Sequence, residues 1–401
     1  MASGLRGKPL DAVAESAHGG SPSSWLAQYN ENTSRLWENS AMHRRQFLSS
    51  AATASAAAAA ASSASASSAQ TSATAPIKLG LDLFSVRDQG WSAFQMLDYA
   101  ARHRVKHVQF SVTRFYGQLD AAHLRKVRAH ADSLGIRLET GMDSICPTST
   151  RFPKDDGTAE QQLLRQLETA KIVGSPIVRC YLGSMADRRT ELSFEQHIDS
   201  MLAVLKAVRS RFIDAGVKVA IENHAGDFRA QRLRRVIEEA GKDWTGVTFD
   251  TGNPCWTMED PLVALEYVAP YVVTAHLRDS YVWQNEAGIA VQWIRFGQGN
   301  VRIADVVSRL HAAQPNVVMN LETICIGNRA FPLKQPDFWK GYEDVTAQDL
   351  MPLYARAETG FPLPDPPKRS REEAARIQLE DSDVSIDGFR KIIRSLGKQE
   401  A

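Results

Sequence analysis

Beyond Pro76 the chain alternates short β-branched or apolar runs with longer stretches whose apolar residues recur at three- and four-residue spacing. The runs IKLGLDLFSV, VKHVQFS, IRLETGM, PIVRCYL, VKVAIEN, GVTFD, YVVTAHL and NVVMNLE predict strands. Between them AFQMLDYAARH, AAHLRKVRAHADSLG, EQQLLRQLETAKIVG and FEQHIDSMLAVLKAVRSRFIDAG predict amphipathic helices. Several of these stop at Ser-Leu-Gly, Val-Gly or Ala-Gly just before a strand, as expected of a helix C-terminus. Eight strand and helix units within roughly 250 residues predict an α/β fold, a (β/α)8 TIM barrel. An open doubly wound sheet alternates in the same way. Its Gly-rich turn is missing here, because LFSVRDQGWSAF after the first strand holds one glycine and no G-x-G-x-x-G.

The preceding segment has another texture. From Met42 it reads MHRRQFLSSAATASAAAAAASSASASSAQTSATAP: the Arg44-Arg45 pair, Phe-Leu, a weakly apolar Ala/Ser run, then small-residue sites such as Ala64-Ser65-Ala66. That is the plan of a twin-arginine export signal over about residues 42–69. The run is too rich in serine to stay in a bilayer, and no cysteine follows it for a lipid, so no stable membrane anchor is expected. Residues 1–75 are therefore expected to be a disordered extension and signal, with Met42 an alternative start, and residues 76–401 a barrel domain with a C-terminal helical extension. The twin-arginine export machinery is the expected carrier, and the expected location is periplasmic or secreted.

The 47 Lys and Arg balance 46 Asp and Glu in 401 residues, giving a net charge of +1 with no long basic run, so nucleic acid is not an expected partner. Cys146, Cys180, Cys255 and Cys325 are scattered without metal-ligand or disulfide spacing and read as core residues. The sequence leaves homo-oligomerisation open.

In a barrel the reactive groups sit at the C-terminal tips of the strands. The fifth predicted strand ends in Glu222, the sixth in Asp250, the seventh in His276 and the eighth in Glu322. Taken singly, Asp250 before Thr-Gly-Asn reads equally as a turn residue, and His276 as a core histidine. A carboxylate ending an apolar run is harder to dismiss, since burial costs free energy unless the group is paired or metal-bound. Three carboxylates at one mouth would repel one another and take up protons without a cation. Three oxygen ligands and one nitrogen suit one divalent ion, Mn²⁺, Mg²⁺, Co²⁺ or Zn²⁺. His224, two residues past Glu222, faces the same mouth if strand geometry persists, as a substrate contact or auxiliary acid/base group. Arg278 reads as a ligand for a substrate oxygen or carboxylate, or as a solvated partner of Asp279. Arg179 and Tyr181 at the fourth strand tip are candidate pocket residues, and Trp256, Trp283 and Trp293 a candidate apolar wall for a sugar.

In this order LGLDLFSVRD, IENH, FDTGN, AHLRD and FGQGNV, with the closing DSDVSIDGFRKIIRSLG, resemble the xylose-isomerase-like TIM barrels of the sugar phosphate isomerase/epimerase family, from about Ile77 to the C-terminus. The resemblance implies that Glu222, Asp250, His276 and Glu322 hold one divalent ion and that Glu222 and Glu322 serve as the acid/base pair. It implies a carbohydrate substrate and proton abstraction beside a carbonyl through an enediolate, giving isomerisation or epimerisation. A keto-sugar or 3-keto-glycoside lyase using the same site is the alternative, and a non-catalytic carbohydrate-binding barrel a further one. Two positions depart from the family pattern: Gln109 stands where many members have Glu, and Arg278 where Lys is frequent.

Overall fold

The computed structural model describes residues 75–401. The twin-arginine segment with Arg44 and Arg45, and the disorder expected of the extension, lie outside the described residues.

Eight parallel strands close into a barrel: β1 (Lys78–Asp82), β2 (His107–Phe110), β3 (Arg137–Ser144), β4 (Ile177–Tyr181), β5 (Lys218–Glu222), β6 (Thr245–Asp250), β7 (Val272–Leu277) and β10 (Val318–Leu321). Six fall inside their predicted runs, while β3 continues two residues past Met142 to Ser144 and β6 begins one residue earlier, at Thr245. Hydrogen bonds pass around the ring in chain order, and β10 closes it by pairing with both β7 and β1. Strands covered on both faces need continuous apolar character, and every residue of β4 and β6 is buried.

Helices α1 (Ala93–Arg102), α2 (Ala121–Ser133), α3 (Ala159–Val173), α4 (Phe194–Ala215), α5 (Ala230–Ala240), α6 (Pro261–Val268) and α7 (Ile303–Ala313) follow successive strands. Their limits are local chemistry. Ser92, Thr158 and Ser193 open α1, α3 and α4 with reciprocal capping boxes. Gly174 and Gly216 end α3 and α4 in the left-handed conformation, φ 73° and 65°, that a side chain would resist.

The barrel motif is interrupted once. Between β7 and α7 the chain makes an antiparallel hairpin, β8 (Asp279–Asn285) and β9 (Gly288–Ile294), to which β11 (Arg329–Phe331) adds a third strand. This sheet, with α8 (Ala347–Glu358), buries a second apolar cluster that includes Trp256, Trp293, Phe331, Phe338 and Tyr342. The closing helix α9 (Arg371–Ser395) is longer than the predicted segment and packs back on the first barrel unit, where the Tyr99 hydroxyl donates to Asp383 at 2.6 Å. All four cysteines are free, and Cys146, Cys180 and Cys255 are buried.

Candidate functional site

Strand register brings the predicted residues together. Asp250 on β6 is paired in register with His276 on β7, Glu222 ends β5, and Glu322 directly follows β10 with its N–H on the Leu277 carbonyl at 3.0 Å. One ligand atom from each of Glu222, Asp250, His276 and Glu322 lies within 4.8 Å of the others, and all four side chains are buried.

The charges are answered from inside the barrel. The Arg179 guanidinium donates to Glu222 Oε2, and Arg278 donates from Nε to Asp250 Oδ2 at 2.8 Å and from Nη2 to Glu322 Oε2 at 2.6 Å. Gly141 makes room for Arg179, since a Cβ there would come within 3.1 Å of that side chain and 2.8 Å of the Ser111 carbonyl. Burial disfavours charge on Glu222, yet Arg179 and His276 outweigh it and hold its carboxyl well below the ordinary range. Glu322 is held down in the same way by Arg278 and His276. Burial pushes the Asp250 carboxyl up to about 7 against Arg278. Even so, the N–H groups of Gly252 and Asn253 and the Arg278 Nε all donate to it, which is the setting of a carboxylate.

Beneath these groups lies a layer of which the sequence reading singled out only Gln109. Glu139 accepts from Gln109 Nε2 at 2.8 Å, Thr274 Oγ1 at 2.7 Å and Asn320 Nδ2 at 2.9 Å. The first of these bonds fixes the Gln109 amide so that its oxygen meets His276 Nε2. An amide oxygen only accepts, so Nε2 carries the proton and Nδ1 faces Glu322 Oε2 at 3.1 Å and Glu222 Oε2 at 3.3 Å. Nδ1 is buried without a hydrogen-bond partner. Asp82, ending β1, adds a buried carboxylate whose Oδ2 is likewise unpartnered, 3.6 Å from His276 Nε2. Four carboxylates therefore face two guanidiniums, leaving room for a protonated His276 or for a divalent cation in contact with Nδ1. The donor set fits one such ion. LGLD and LET carried the signal for Asp82 and Glu139, two acids inside apolar runs.

The remaining predicted residues divide. His224 stacks on Tyr181 with ring centroids 3.8 Å apart and places Nδ1 2.6 Å from the Gly183 carbonyl, so its proton sits on Nδ1. Burial lowers its pKa to about 4 and keeps the ring neutral. Arg278 is a partner of the cluster carboxylates. Its sequence neighbour Asp279 is otherwise engaged, accepting backbone N–H bonds from Ser280, Gly297 and Gly299 at 2.9 Å each and so tying the FGQG loop to the hairpin. Trp256 and Trp293 stack on each other at 4.1 Å, with Arg329 over the first at 4.3 Å and Arg278 over the second at 4.2 Å. Both faces of each ring are thus covered, and a sugar meets ring edges there. Trp283 is buried on the hairpin and is not among the residues lining the cavity above the cluster.

That cavity has a volume of about 1020 Å³ and is lined by Arg179, Tyr181, His224, Trp256, Arg278 and Glu322 among others. A sequence profile of the xylose isomerase-like TIM barrel matches residues 86–340, and the chain belongs to that family. The chain is 25% identical over 221 residues to the 3-oxo-isoapionate decarboxylase of Pectobacterium atrosepticum, covering 55% of this chain and 66% of that protein's length. It is 24% identical over 321 residues to the uncharacterized protein YihM of Escherichia coli, covering 76% of this chain and 86% of that one. Among solved structures, 3-keto-D-glucoside 4-epimerase from E. coli superposes with a TM-score of 0.49 at 15% identity, over 67% of this chain and 97% of that one. No described helix is long and apolar enough to cross a membrane.

Proposed function

We propose that the protein is a divalent-metal-dependent sugar isomerase or epimerase that abstracts a proton beside a carbonyl. The observation that carries this reading is the convergence of Glu222, Asp250, His276 and Glu322 within 4.8 Å, beneath a cavity large enough for a sugar. A divalent ion held by those four side chains would supply Lewis-acid charge beside a substrate carbonyl. Glu222 and Glu322 are ionised at neutral pH, so each can accept a proton from a carbon acid and return it. Return to the same carbon from the other side inverts it, and return to the neighbouring carbon exchanges aldose and ketose. Arg179 and Arg278 hold the two carboxylates in fixed orientations. Neutral His224, with Nε2 free to accept, is the candidate contact for a substrate hydroxyl.

A second reading, a keto-sugar or 3-keto-glycoside lyase, is favoured by the relative named as a 3-oxo-isoapionate decarboxylase, because breaking a bond beside a ketone passes through the same kind of enolate. Incubating Mn²⁺-loaded protein with a panel of ketoses and 3-keto-glycosides in D₂O separates the readings. Isomerase or epimerase activity places deuterium beside the carbonyl of an intact sugar, whereas the lyase yields fragments. Absence of both across the panel would overturn the proposal.

A further inference from the structure

We infer that the mouth of the cavity is an anion subsite and that the substrate carries a carboxylate or phosphate group at the end remote from its reacting carbonyl. The inference rests on the metal-dependent keto-sugar reading and adds the substrate's charge.

Four exposed arginines line the mouth: Arg114 after β2, Arg151 after β3, Arg189 after β4, and Arg329 on β11. None has a carboxylate partner. Exposed arginines elsewhere are of both kinds, Arg234 paired with Glu238 at 2.9 Å and Arg309 with Glu266 at 3.0 Å but Arg125 and Arg211 without a carboxylate, so what sets the mouth apart is the gathering of four such arginines around one cavity. In a chain of net charge +1 this local excess is not a by-product of composition. The mouth also contains Asp337, paired with Lys340 at 2.8 Å, and Asp143, which accepts from the Tyr181 hydroxyl at 3.1 Å and sets one negative charge against the four guanidiniums.

Three of the four arginines are held by groups that leave the charge unanswered. Arg114 lies over Phe115 at 4.9 Å and Phe84 at 5.6 Å, Arg329 over Trp256 at 4.3 Å, and Arg189 donates to the Phe338 carbonyl at 3.1 Å. Aromatic faces fix a guanidinium while leaving its in-plane N–H groups free for a planar anion. The cavity therefore differs along its depth, with carboxylates already holding Arg179 and Arg278 on the floor and guanidiniums without carboxylates at the rim. An anionic substituent is attracted by the unpaired rim arginines, so the substrate enters with its uncharged end first. A sugar acid and a sugar phosphate share this chemistry.

The test is calorimetric titration of the Mn²⁺-loaded full chain with D-glucose, D-glucuronate and D-glucose 6-phosphate. At low ionic strength at least one anion should bind about tenfold or more tightly than glucose, and the better one identifies the source of the charge. Raising the salt to about 0.5 M should erase most of the preference. The Arg114→Gln/Arg151→Gln/Arg329→Gln variant, checked for an unchanged melting curve, should lose it, while the salt dependence of the unmodified protein stands as a second measure should the variant misfold. Glucose binding as tightly as both anions, no binding of either anion, or a preference surviving in the folded variant would each overturn the inference. Retained anion preference without deuterium exchange would instead overturn the proposed reaction and leave the subsite. Exchange into a neutral ketose without anion preference would do the reverse.

Discussion

The floor and the mouth of the cavity are both rich in charge but are built on opposite terms. On the floor every charged group is buried and three carboxylates have a guanidinium within reach, Arg179 on Glu222 and Arg278 across Asp250 and Glu322, while Asp82 Oδ2 and His276 Nδ1 are left without a partner. At the mouth Arg114, Arg151, Arg189 and Arg329 are exposed and unpaired by carboxylates. A buried charge without a partner costs several kcal/mol, so the floor carries most of its own countercharge in Arg179 and Arg278 and leaves the remainder to a protonated His276 or a cation. An exposed charge costs little, so the mouth can stay open for a ligand to complete. The floor is thus where the proposed chemistry and folding are coupled, and the mouth is where charge can change without harm to the fold.

The largest effect is expected on the floor. Glu222→Gln and Glu322→Gln each keep the side-chain volume and an acceptor oxygen but remove the proton-accepting charge, so turnover of a responsive keto-sugar should fall at least about a hundredfold in folded protein. Near-normal turnover in either variant would dissolve the acid/base assignment.

Next is the layer that orients the floor. Gln109→Leu removes the acceptor that keeps the proton of His276 on Nε2, so Nδ1 is no longer reserved for a cation. Metal affinity should fall about 10–100-fold, the usual range for groups that orient a ligand. Calorimetry of metal binding reads this directly, and an unchanged affinity would show that the tautomer is set by other contacts.

A smaller effect separates folding charge from site charge. Glu259 is buried 3.6 Å from Arg229, itself 2.9 Å from Asp349 on α8, in a group that ties the C-terminal segment to the barrel. Burial, only partly offset by Arg229, pushes the Glu259 carboxyl up to about 7. The folded protein therefore holds a proton that the unfolded chain releases near the ordinary value of 4.5, and the stability from this group is lost as pH rises from there to about 7. Against Glu259→Gln, the wild type should lose stability across this window by at most about 1.4 kcal/mol per pH unit and level off above it. Chemical denaturation at several pH values measures the difference, and parallel curves would contradict the assignment.

The smallest effect belongs to the mouth. Arg114→Gln should change stability by no more than about 0.5 kcal/mol, the usual range for an exposed site. A larger loss would mean that the rim is also part of the folding machinery.

The barrel was legible because its signals are local. Strand periodicity, glycine stops and one carboxylate or imidazole at each of four successive strand tips survive in one dimension, and the predicted Glu222, Asp250, His276 and Glu322 do converge. What depends on long-range pairing was not legible. The β8–β9 hairpin follows directly on AHLRD, and its third strand comes from residues 329–331, across α7 and β10. Asp82 and Glu139 join the site through partners 29 or more residues away in sequence, such as Ser111 for the first and Thr274 for the second. Arg278 could be placed at the mouth by strand parity, but its carboxylate partners Asp250, Glu322 and, at 3.8 Å, Glu222 come from the ends of other strands, and sequence adjacency pointed to Asp279 instead. The covered faces of Trp256 and Trp293 depend on a stack assembled from three separate segments.

The central claim is that the floor of the cavity holds one divalent ion. Titrating Mn²⁺ into chelator-treated protein tests it most directly, with melting temperature followed alongside, because an ion bound only by the folded state raises the melting temperature. The account predicts saturable binding of one ion per chain, a higher melting temperature on loading, and loss of both in Asp250→Ala and His276→Ala. No saturable binding of Mn²⁺, Co²⁺ or Zn²⁺ together with melting indifferent to each would contradict it, leaving Arg179, Arg278 and a protonated His276 as the only cations on the floor.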